Sequence, residues 1–179
     1  MELSLSARNL KIEDLIEYSN ERGINLPKAQ LETIRTSLEA GTTTPAQVIE
    51  HVNAIADRYN EKGYKWYVQT DPDPKYPLMR FMDKSGRTLA YIAERVNKET
   101  EEHFFVANRI IEKDDQRQHL QLTSNNSVEA VRGNVTAYYT GAVIREISKE
   151  MEQEKGADKT AAAAEPSRRE KEPDMSLSR

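Results

Sequence analysis

The chain has 179 residues, 26 Lys plus Arg against 30 Asp plus Glu, and no cysteine. That length suits one ordinary domain, with or without a tail, and the composition excludes a disulfide-stapled module, thiol chemistry and Cys-ligated zinc. A net charge of −4 supplies no global basic field for phosphate backbones, and no apolar run approaches the roughly 20 residues of a membrane span.

Met1 to Ser6 lacks the basic start and continuous apolar stretch of a signal peptide, so the expected location is the cytoplasm. Residues 1–63 read as a helical unit of about three helices. The first has Ile12, Leu15 and Ile16 on one face and stops at Gly23. The second places Pro27 at its first helical position, carries Leu31, Ile34 and Leu38, and ends at Gly41. Thr44 as N-cap and Pro45 open the third. Its apolar stripe runs through Val48, Ile49, Val52, Ile55, Ala56 and Tyr59 to Gly63.

The pattern changes at Tyr64. Residues 64–68 are aromatic and β-branched and read as a strand. Asp71-Pro72-Asp73-Pro74 fits neither a helix interior nor a central strand, and is expected to be a stiff exposed loop. Leu78–Met82 and Arg87–Ala93 flank the turn-rich tetrad Asp83–Gly86, so a hairpin is expected there. A helix from Thr88 is the rival, because Leu89, Ile92, Ala93 and Val96 also fit a helical face. His103–Ile111 and His119–Leu122 are further strands, with the polar residues 112–118 turning outside. Asn126 with Glu129 resembles a capping box and opens a long helix to residue 155, with Val128, Val131, Val135, Tyr138 and Ala142 in its stripe. Beyond it, 156–179 has no apolar periodicity and reads as a disordered polar tail. The fold class is therefore α+β: helical unit 1–63, then a small, mainly antiparallel sheet with a long helix over 64–155, forming one compact domain with 1–63.

Charge is evenly spread. Segments 1–63, 64–124 and 125–179 each carry ten acidic residues, against seven, ten and nine basic ones. The departure is 64–92, which is net +2 and holds six of the chain's aromatics: Tyr64, Trp66, Tyr67, Tyr76, Phe81 and Tyr91. Strand aromatics beside Lys and Arg suit stacking on unpaired bases or anchoring of a protein partner. The expected contact surface is Lys65, Trp66, Tyr67, Arg80, Lys84 and Arg87. The overall negative charge favours a protein partner over nucleic acid.

A second surface is the small-residue row Gly133, Ala137 and Gly141 on the long helix. Each helical Gly costs up to about 1 kcal/mol against Ala, and close approach of another backbone would offset that. The approaching element belongs either to this chain or to a second copy in a homodimer. The N-terminal helices offer a third surface. Gln47, His51 and Asn53, or Lys28, Gln30 and Arg35, could read a DNA groove, but the segment is net −3.

No HExxH, Gly-rich phosphate loop or GxSxG elbow occurs. Asp71 and Asp73 could chelate a cation, but their prolines argue for a surface turn. No catalytic residue, cofactor, metal site or membrane contact is assigned. The reading is a non-enzymatic cytosolic binding or regulatory protein acting through a protein–protein interface, by occlusion or recruitment. The alternative is a nucleic-acid-binding accessory factor using the same surface or the N-terminal helices.

Overall fold

The computed structural model describes residues 10–70 and 76–177, with side chains described as far as Gly156. The loop expected at Asp71–Pro74, its two candidate chelating carboxylates and the side chains of the expected tail lie outside these residues.

Helix α1 spans Ile12–Glu21, with Glu13 and Asp14 in its first turn complementing the helix dipole. Leu15, Tyr18 and Ser19 form its buried face. Ile16 is exposed, contrary to the expected stripe. Tyr18 takes the inward position because its ring fills the contact while its hydroxyl donates to Asn53 Oδ1 at 2.9 Å. Helix α2, Lys28–Ala40, begins one residue later than expected: Pro27 is the N-cap, with extended φ/ψ. Helix α3, Pro45–Glu61, has Thr44 as N-cap and Pro45 at its first position. Gln47 completes a reciprocal capping box, its amide N donating to Thr44 Oγ1 (3.2 Å) and its Oε1 accepting from Thr44 N (3.1 Å).

Five strands follow: β1 Lys65–Val68, β2 Met79–Met82, β3 Thr88–Val96, β4 His103–Lys113 and β5 Gln116–Asn125. They form one antiparallel meander in the order β1-β2-β3-β4-β5. The segment from Thr88 is a strand rather than a helix. Asp83 sets the hairpin before it, its Oδ1 accepting from Ser85 N (2.9 Å), Ser85 Oγ (2.6 Å) and Arg87 N (3.1 Å).

The expected outside turn over 112–118 contracts to two residues. Asp114 and Asp115 both have left-handed φ, 53° and 62°, as a two-residue I′ hairpin turn requires. The polar residues around them pair as Glu112↔Arg117 and Lys113↔Gln116. They sit on a projecting ribbon where both sheet faces meet water, so their polarity marks exposure rather than a loop.

Helix α4 is assigned over Val128–Leu177, running past residue 155. Its cap is Ser127, whose Oγ accepts from Ala130 N, and not Asn126 with Glu129. Asn125 Oδ1 accepts from Ser127 N, and this Asx turn moves the helix entry by one residue. The chain divides into two compact units, residues 1–143 and 144–179. The first holds α1–α3, the sheet and the first turns of α4. The second holds the remainder of α4.

Side chains alternate across the sheet. Trp66, Phe81, Ala90, Ile92, Ala107 and Arg109 share one face through their pairings. Among the described residues, the helix-to-sheet contacts fall on this face. Tyr64, just before β1, links the layers, with ring centres 5.0 Å from Tyr59 on α3, 4.9 Å from Phe81 and 5.6 Å from Tyr139 on α4. Phe81, Ile92, Ala107, Val131 and Val135 are fully buried between sheet and helices. Burial pushes the Tyr59 hydroxyl up to about 12, against a bond with Thr136 that favours the phenolate.

His51 on α3 is half-buried, and desolvation lowers its pKa from the ordinary 6.5. The unfolded chain then binds this proton more readily than the folded one. Stability should therefore rise with pH from the lowered value up to 6.5 and level off above it. Urea titrations of His51→Gln between pH 5 and 7.5 should show a flatter profile than the wild type. Parallel profiles would mean that His51 is solvated.

Candidate binding face

The structure divides the six residues of the expected contact surface. Trp66 lies on the helix-bearing face, its ring 5.0 Å from Phe81 and 5.3 Å from the Arg132 guanidinium. It is half-buried there, and strand alternation places it on the face opposite Lys65, Tyr67 and Arg80. Lys65, Tyr67 and Arg80 lie on the opposite face. Lys84 and Arg87 sit at the β2–β3 turn. Lys84 packs over Gly63, and Arg87 points along the rim to Glu112 at 4.0 Å.

That opposite face has an order that sequence spacing did not reveal. Register aligns Tyr67, Arg80, Tyr91, Asn108 and Gln121 in one row across all five strands. At about 4.8 Å per strand the row is roughly 19 Å long. Tyr67 is 50% exposed and Arg80 is exposed. The Arg80 guanidinium lies 4.8 Å from the centre of the Tyr67 ring, which holds its charge over an aromatic plane while leaving its N–H groups available. Tyr91 Oη and His119 Nδ1 are 2.7 Å apart, with the two rings edge-on at 5.5 Å. Ala93 and Val106, opposite each other, are the buried small residues of this face.

The charge of the face is distinct from that of the chain. By register its strand residues include Lys65, Arg80, Arg95 and Arg117, with Glu112 as the carboxylate. Glu112 is answered by Arg117 at 3.7 Å as well as by Arg87. The carboxylate Glu94 lies on the other face, paired with His103 at 2.9 Å. A chain of net −4 thus presents a locally cationic, aromatic and amide-bearing sheet surface.

Several residues of the other candidate surfaces make internal contacts. Gly133 takes the Asn25 side chain, whose Nδ2 donates to the Gly133 carbonyl at 3.0 Å. A Cβ there would meet that nitrogen at 3.2 Å. Close approach is therefore the reason for this glycine, and the approaching group is a side chain of the same chain. Ala137 and Gly141 are partly exposed along the same helix. On the N-terminal helices, Gln47 serves the α3 cap. Asn53 accepts from Tyr18 and from Arg22 Nε at 2.8 Å, and Arg35 pairs with Glu32 at 3.3 Å.

Among the described residues no group of three or more His, Asp or Glu is placed to hold a metal ion, and no helix is long and apolar enough to cross a membrane. Tyr91, Asn108, His119 and Gln121 join this candidate face without having been among the expected contact residues. Tyr91 stood among the clustered aromatics, but only strand register aligns it with Tyr67 and Arg80. Comparison with family models, with curated proteins and with solved structures finds no match.

Proposed function

We propose that the protein is a non-enzymatic binding or regulatory protein whose contact surface is the open sheet face, acting by occlusion or recruitment of a macromolecular partner. The observation that carries this reading is the single row Tyr67, Arg80, Tyr91, Asn108 and Gln121. Aromatic and Arg side chains are the residue types that dominate binding energies, and here they stand together on the face away from the helices. Ladder pairing on neighbouring strands and the helices packed on the opposite face hold such a row in place, so a partner meets preset geometry and less ordering entropy is lost on binding.

The test is native capture on immobilised protein, with bound protein and bound nucleic acid both quantified. Tyr67→Ala/Arg80→Ala should lower recovery at least tenfold. Both side chains are exposed, so the fold should tolerate the change to within about 0.5 kcal/mol. Lys113→Ala/Gln116→Ala at the hairpin tip should recover as much as the wild type. Equal recovery by all three proteins would remove the open face as the contact surface.

A further inference from the structure

We infer that the occupant of the open face is single-stranded nucleic acid. This rests on the reading of that face as the contact surface. Sequence composition alone weighs against such a ligand, because the chain is net −4. The fold changes the relevant quantity from net charge to the charge of one face. Lys65, Arg80 and Arg95 are exposed cations on the open face with no carboxylate partner described, while Glu112 is already paired to two arginines. Phosphates are attracted to the local field within a Debye length of about 8–10 Å. Lys65, two residues from Tyr67, and Arg80 act on the row within that range, while Arg95, four residues along β3 from Tyr91, lies about 13 Å away and serves a strand that runs on past the row.

Aromatic rings supply the second component. Tyr67 and Tyr91 flank Arg80 on adjacent strands, so their Cα positions are roughly 10 Å apart with a guanidinium between them. The arrangement offers two π surfaces for successive bases and a cation at phosphate height between them. His119, edge-on to Tyr91, extends the aromatic run towards β5. Asn108 and Gln121 place amide donors and acceptors in the same row, able to reach the edges of unstacked bases. A duplex hides its base faces and would meet only the cations, so single strands are the form this surface recognises. A protein partner would be expected to find carboxylate and carbonyl partners more evenly mixed across such a row.

The experiment is fluorescence anisotropy of the full chain with 5′-labelled 12-nucleotide mixed-sequence DNA and RNA single strands and a 12-base-pair DNA duplex. Single strands should bind at least tenfold more tightly than the duplex at low salt. The plot of log K against log salt should have a slope of about −1.4, from Lys65 and Arg80 at roughly −0.7 each. Arg80→Ala should reduce that slope by about 0.7. Tyr67→Ala and Tyr91→Ala should each weaken binding roughly tenfold and leave the slope unchanged. The DNA and RNA arms identify which sugar the site prefers. No single-strand binding by the wild type at low salt, or binding that all three variants retain in full, overturns the inference. Loss of a protein alone in the capture experiment would likewise overturn it, and would leave the open face standing as the contact surface.

Discussion

Phe81→Ala should destabilise the protein by about 3–5 kcal/mol, as expected for a buried aromatic truncated in a packed core. Phe81 is fully buried, and its ring lies 4.7–5.0 Å from the ring centres of Tyr64, Trp66 and Tyr139. It is the residue where the sheet, the chain leaving α3 and helix α4 meet. Small domains have only about 5–15 kcal/mol of stability in total, so this one ring is a large share of it. Tyr67, on the neighbouring strand but the opposite face, is the control. Tyr67→Ala should shift the urea midpoint by less than about 0.5 kcal/mol equivalent. Matching losses at the two positions would mean that the faces of the sheet have been misassigned.

Gly63→Ala should cost about 2–3 kcal/mol, well above the same change at Gly41 or Gly86. All three glycines have positive φ, at 66°, 72° and 85°. An L-residue there pays about 1–2 kcal/mol for the left-handed backbone. Gly63 carries an added penalty. A Cβ would lie 3.1 Å from Lys84 Cβ and 3.6 Å from its Cα, so the β2–β3 turn is seated on the end of α3. At Gly41 and Gly86 a Cβ meets nothing within 4 Å. Chemical denaturation of the three single variants separates the terms. Equal losses would show that the contact with Lys84 is slack and that only backbone strain is being measured.

Local signals were legible where local physics decides. Pro45 after Thr44, and Gly41 and Gly63 past helix ends, mark boundaries by φ preferences and unsatisfied backbone groups, which depend on a few neighbouring residues. The Asp83–Gly86 turn was readable for the same reason. The ends of β4 and β5 were not. Glu112 to Gln118 is polar throughout, and polarity does not distinguish a loop from a ribbon exposed on both faces. The cap of α4 shifted because the Asn125 side chain engages Ser127 N, a choice among adjacent Asn and Ser residues that composition leaves open.

The amino-acid sequence by itself determined the α+β class, the helical start, the aromatic and basic enrichment of residues 64–92, and the absence of cysteine chemistry. Those follow from composition and from periods of two and 3.6 residues. Only the tertiary structure decided where the enriched residues lie. Strand pairing sent Trp66 and Phe81 to the helix-bearing face and Tyr67 and Arg80 to the open face, then brought Tyr91, Asn108 and Gln121 into line from up to 54 residues away. The reason is geometric: a face of a sheet is defined by register between strands, and register is a property of pairs of segments that no single segment encodes. The even charge of the chain gave way to a cationic face for the same reason, since Lys65, Arg80 and Arg95 come to lie on one surface only when the sheet forms.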